Sequence, residues 1–240
     1  MKKYELTDET LKIGGRTLHR IRALRDFADV KAGNIGGWIE FKDNLSHDDN
    51  AWVYDNAWVY DNAWVYGDAR VYGDARVYGD AWVYGDAWVY GDARVYDNAW
   101  VYDNACVYGN ARAYGDAWVY DNARVYGDAR VCDGAQVYGN AQVYGDAWVY
   151  GDAQVYDNAW VYGRHALYTV TNIGSRNSTT TFFNCKDGNI GVSCGCFRGS
   201  IDEFAQAVKK THGDNKFAKQ YEVAIQLAKE AIETSAFEED

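Results

Sequence analysis

Residues 51–80, AWVYDNAWVYDNAWVYGDARVYGDARVYGD, spell one six-residue phrase five times. The phrase runs on without interruption to Arg164, giving nineteen consecutive hexapeptides. A repeat this regular decides the architecture before any single residue does. In a unit such as Ala63-Trp64-Val65-Tyr66-Gly67-Asp68, four alternating residues precede two turn formers. Alternation sends successive side chains to opposite faces, so each unit reads as a four-residue strand and a corner. Ala and Val are nearly invariant, while the position between them takes Trp, Arg, Gln or Cys. A close-packed interior cannot accept Arg in one layer and Trp in the next. Ala and Val therefore point inward, and the Trp/Arg and Tyr columns point out. A strand this short is stable only when stacked on copies of itself.

The motif Val-x-x-x-Ala-x, as in Val65-Tyr66-Gly67-Asp68-Ala69-Arg70, resembles the hexapeptide-repeat proteins that form left-handed parallel β-helices. That resemblance implies three hexapeptides per triangular coil, hence an eighteen-residue period and a prism on the order of 30 Å long. The Tyr after each Val departs from the family pattern, where Gly is commoner. Stretches such as "DFADVKAGNIGGW" and "DNLSH" resemble phage-encoded and bacterial hexapeptide proteins, many of them labelled transferases. The resemblance implies a phage-encoded chain acting in a host cytoplasm.

Three segments follow. Residues 1–50 are an N-terminal β cap and degenerate first coil, with Phe41 and His47 in the inward Val slot. Residues 51–164 are the solenoid. Residues 165–240 read as an α+β domain: a three-stranded meander turning at Lys186-Asp187-Gly188, then two helices. Ser200-Ile201-Asp202-Glu203 is a capping box opening the first helix, which runs to about Thr211. The second runs to about Ser235, with Phe217, Tyr221, Ala224, Ile225, Ala228 and Ile232 on one stripe.

The chain carries a formal charge of −11, and residues 51–164 hold sixteen Asp against seven Arg. Corner chemistry accounts for most of those Asp. The balance disfavours duplex nucleic acid, which needs net positive contacts. No apolar run is long enough to span a membrane, and no signal-peptide pattern is present. Five scattered Cys suit reduced thiols in a cytoplasm. Cys106 and Cys132 replace outward residues, whereas Cys185, Cys194 and Cys196 read as buried strand thiols rather than metal ligands.

Catalysis finds little support. A hexapeptide acyltransferase needs a His near the acyl-CoA thioester, and none of the four His lies in residues 51–164. No loop interrupts the repeats to build a coenzyme tunnel. No cofactor is implied. The expected function is therefore non-catalytic binding or scaffolding, with an acyl-CoA-dependent acyltransferase as the alternative. Every third repeat sorts the outward position into columns. One holds Trp64, Trp82, Trp100 and Trp118 beside Tyr66, Tyr84, Tyr102 and Tyr120; another holds Arg76, Arg94, Arg112 and Arg130. The Trp column is the candidate interface, to further copies of the chain (a trimer by the family resemblance) or to a host protein, including a defence protein it would inhibit. Arg176, Arg198 and His212 lie beside turns and are candidates to line an anionic-ligand pocket.

Overall fold

The computed structural model describes residues 2–234. Three strands open the chain: β1 (Tyr4–Ile13), β2 (Arg16–Ala23) and β3 (Ile35–Ile39). Nineteen short strands follow among the described residues, from β4 (Trp52–Val53) to β22 (Trp160–Tyr162), one per hexapeptide. Residue i pairs in parallel with i+18, as in Trp58 with Arg76 and Trp64 with Trp82. The solenoid is thus a three-sided parallel stack, seven layers tall on the side that starts at Trp52. Each side pairs two or three residues rather than four, because Ala and Tyr already bend into the corners.

The inward Ala and Val side chains are fully buried and form one continuous core from end to end. The first corner residue is left-handed throughout, whether Asp (Asp61, φ 59°) or Gly (Gly67, φ 72°). Few other residues tolerate that conformation, which explains why every corner before the last, Gly163-Arg164, reads Asp-Asn, Gly-Asp, Gly-Asn or Asp-Gly.

Parallel pairing bonds each coil to the next, the outward residues donating N–H groups to its Ala and Val carbonyls, as Trp52 does to Ala69 (2.8–3.1 Å along the stack for this type of bond). The first and last coils each end in an edge of backbone groups with no further coil to pair them, and at the first end these include Ala and Val carbonyls. At the first end, Lys3 Nζ donates to the Ala51 carbonyl (2.7 Å) and Asn44 Nδ2 to those of Asp61 and Ala63 (2.9 Å each). Trp38 and Ser46 N–H groups cover Ala57 and Val65. Lys3 is fully buried, and desolvation lowers its pKa to about 8.

The cap departs from the expected phase. Ile39 pairs with Val59 and Leu45 with Val65, an offset of twenty residues rather than eighteen. Two extra residues between Leu45 and Val53 absorb the difference. The inward positions are therefore Ile39 and Leu45; Phe41 is 53% exposed. His47 stacks on Tyr4 (4.2 Å) and accepts a hydrogen bond from the Lys3 N–H, so it is a structural His outside the solenoid core.

Four antiparallel strands, not three, follow the solenoid: β23 (Leu167–Ile173), β24 (Ser178–Asn184), β25 (Ile190–Cys194) and β26 (Phe197–Ser200). Helices α1 (Ile201–His212) and α2 (Lys216–Ala231) cover one face of this sheet. The Ser200/Glu203 capping box opens α1, and Asn215 caps α2. α2 ends at Ala231, four residues before the expected limit; Ser235 itself lies outside the described residues. The sheet's other face closes the solenoid. Thr181 Oγ1 accepts the Gln154 N–H (3.1 Å), and Phe183 lies edge-on against Tyr156 (5.2 Å) as part of the Ala/Val core.

Candidate functional site

Two places on this frame carry exposed chemistry. The first is the side built on Trp64, Trp82, Trp100 and Trp118. In-register stacking spaces equivalent side chains by one layer, about 4.8 Å. The Trp82 and Trp100 rings accordingly stack at 5.1 Å with 2° between planes, and Trp100 and Trp118 at 5.3 Å. Trp64 breaks the stack, standing edge-on to Trp82 (5.6 Å) and lying on Tyr66 (4.2 Å). Tyr66, Tyr84, Tyr102 and Tyr120 form a second ladder alongside, at 4.8–5.0 Å. The interior Trp rings cover each other's faces, so the panel offers mainly indole edges; Trp64 and Trp118 at its ends are 38% and 37% exposed. Burial, and next the neighbouring hydroxyls, push Tyr66 and Tyr120 up to about 12.

On the Arg side, Arg76 lies over the Trp58 ring at 4.1 Å. Among the described residues, Arg76, Arg94, Arg112 and Arg130 form no ion pair with a carboxylate. The corner acids are engaged otherwise, Asp116 with Asn98 and Asp128 with Asn110. Their charge reaches the Arg column only through space. Cys132, expected on the outside, is buried: it replaces a ladder Tyr, and Trp148 folds over the gap, its Nε1–H 3.2 Å from Sγ.

The second place is a cavity of about 410 Å³ in the C-terminal unit, between the β25–β26 turn, the loop before β24 and both helices. Arg176 and His212 both line it. Arg198 does not. Its guanidinium donates to Tyr138 Oη (3.0 Å) and Gln154 Oε1 and lies over Tyr156, fastening the sheet to the solenoid. The sequence expectation joined three residues that the fold splits two and one.

The fold adds Cys194, Cys196 and Tyr221 to that cavity. Gly195, at φ 58°, makes Gly195-Cys196 a tight hairpin turn, so the two thiols do not alternate along one strand. Cys196 is exposed, and Cys194 is half-buried between Thr180 Oγ1 (3.2 Å) and Tyr221 Oη (3.7 Å). Burial, then the Cys194 thiol, pushes Tyr221 up to about 12. Among the described residues no group of three or more His, Cys, Asp or Glu is placed to hold a metal ion. No local signal in the sequence pointed to Tyr221 as part of a site, since its place on the apolar stripe of α2 read as core.

These features define a hexapeptide-repeat β-solenoid protein with capping units at both ends. Residues 69–85, 87–103, 117–133 and 135–151 match the family described as YdcK Beta solenoid repeat. Over 62 residues the chain is 36% identical to a protein of Escherichia coli (strain K12) named "Uncharacterized acetyltransferase YdcK". That match takes in 22% of this chain and 19% of the relative, so the two share about a fifth of the relative's length. No helix among the described residues is long and apolar enough to cross a membrane.

Proposed function

We propose that the chain is a non-catalytic scaffold whose Trp64–Trp118 side binds protein, in the first instance further copies of itself. The observation that carries this is the paired Trp and Tyr ladder, a flat aromatic panel on a backbone hydrogen-bonded in every layer. Its side chains are already ordered by stacking, so association forfeits little rotamer freedom. Aromatic residues in a rigid, flat array are the composition expected at an interface core. Self-association is the common outcome for such a face, and closed symmetric oligomers are the usual form.

The acyltransferase reading draws on the name of the E. coli relative and on one geometric foothold. His165 lines a cavity of about 550 Å³ at the solenoid's C-terminal end, with Asp146, Arg164 and Glu233. Against it, the coils carry no His and no inserted arm.

Light scattering on Trp82→Ser/Trp100→Ser tests the proposal. The parent chain is expected to be an oligomer and the double variant a folded monomer, while Arg94→Ser/Arg112→Ser keeps the parent's mass. A monomeric parent that captures no protein would overturn it. So would acetyl-CoA turnover by the purified chain that disappears in His165→Ala.

A further inference from the structure

We propose that the cavity at Arg176 and His212 is a binding site for a small organic anion with an apolar body. The solenoid's role neither requires it nor depends on it. The titratable groups lining the cavity are Arg176, His212, Cys194, Cys196 and Tyr221. No carboxylate is among them, although the chain as a whole carries −11. The other Arg side chains of the two capping units are hydrogen-bonded, Arg16 to Asp61 and Arg198 to Gln154 among them. Among the described residues Arg176 has neither an ion pair nor a hydrogen bond, and the His212 ring makes no hydrogen bond. That ring is nonetheless held in place, stacked on Tyr221 and tilted against Phe217, each at 5.8 Å.

Two donors of this kind, one fixed and one on a loop, suit a carboxylate or phosphate head. Ser175 and Ser178 hydroxyls border the same space. Phe197, Phe204 and Val208 give the cavity an apolar part of its lining. Phe204 and Val208 are otherwise core residues of the helical layer, so the cavity reaches down to that core. A volume of about 410 Å³ lies within the usual range for small-ligand sites. The C-terminal end of α1 also faces this region, and its partial negative charge opposes an anion. Two of its last carbonyls are engaged, those of Lys209 and His212 by the Gly213 and Asn215 N–H groups. The guanidinium, a full charge, outweighs what is left.

The test uses the full chain with phenyl phosphate as probe, and phenol and inorganic phosphate as controls. Two-dimensional NMR should show phenyl phosphate shifting the amides of Gly195, Cys196 and His212. Both controls should bind at least about tenfold more weakly, since each lacks one half of the recognition. Arg176→Gln, on an exposed loop, should keep the fold and lose about tenfold in affinity; Phe204→Leu should weaken phenyl phosphate more than inorganic phosphate. No binding of phenyl phosphate, binding that shifts only other amides, or equal affinity in Arg176→Gln would overturn the proposal.

Discussion

Phe182 and Phe183 are neighbours on β24 and are buried in two different cores. Phe183 plugs the end of the Ala/Val column against Tyr156, and Phe182 packs under α1 against Phe204. The period of two in a strand makes one segment the floor of the helical layer and the lid of the solenoid.

Phe183→Ala should therefore uncover the last coil as well as lose core. The expected cost is about 3–5 kcal/mol, with growth of fibrous particles from the exposed edge. Phe182→Ala should cost a similar amount while leaving the edge covered and the protein dispersed. Removing residues 1–44 or 165–240 should act like Phe183→Ala in stronger form. Denaturant titration with light scattering separates these outcomes, and a monodisperse Phe183→Ala protein would remove the lid role.

The stacked Tyr residues predict an alkaline limit. Burial first, then neighbouring hydroxyls, raises Tyr66, Tyr90 and Tyr126 to about 12 in the fold. A raised acid pKa means the neutral form is favoured by folding, so this contribution is intact below about pH 10 and lost as pH rises toward 12. Lys3 runs the other way. Its pKa falls to about 8, so its burial penalty is present below pH 8 and relieved by about 10.5. Many Tyr against one Lys leaves a net loss above pH 10. Tyrosinate absorbance and circular dichroism followed together should change in step there; free ionisation at pH 10 with the fold intact would contradict the ladder effect.

Register predicts the result of deletions. Removing Ala81–Asn98 takes out one complete coil, and the i to i+18 pairing re-forms with every column preserved. Removing Ala81–Asp86 turns all later residues by one side, interrupting the Trp panel. Both chains should fold, since each coil touches only its neighbours. Only the eighteen-residue deletion should keep the parent's assembly by sedimentation. Equal behaviour would show that the identity of the sides is immaterial.

Corners predict a pair of substitutions. Asp103 is held at φ 56°. Asp103→Gly should be close to neutral, because Gly-Asn corners already occur at 109–110 and 139–140. Asp103→Ala should cost about 1 kcal/mol, the penalty for a Cβ in the left-handed region. Thermal melts of the two variants, side by side, read the difference directly.

While the three columns were implied by the resemblance to hexapeptide-repeat proteins, the hexapeptide phrase by itself determined the solenoid, its inward Ala and Val and the need for caps. Those are consequences of period and of side-chain size, and both are local properties repeated nineteen times. The capping box at Ser200 and the turn at Lys186-Asp187-Gly188 were legible for the same reason. Only the tertiary structure decided what depends on residues far apart in the chain. The two-residue slip that puts Ile39 and Leu45 inward follows from what they pair with, Val59 and Val65. The burial of Cys132 depends on Trp148, a layer away. Arg198 left the cavity because Tyr138 and Gln154, on the solenoid, hold its guanidinium together with the Gly195 and Phe197 carbonyls of its own turn. Tyr221 and Cys194 meet there because α2, packed against α1 and β23, brings Tyr221 to the end of β25, a juxtaposition that no spacing in the sequence encodes.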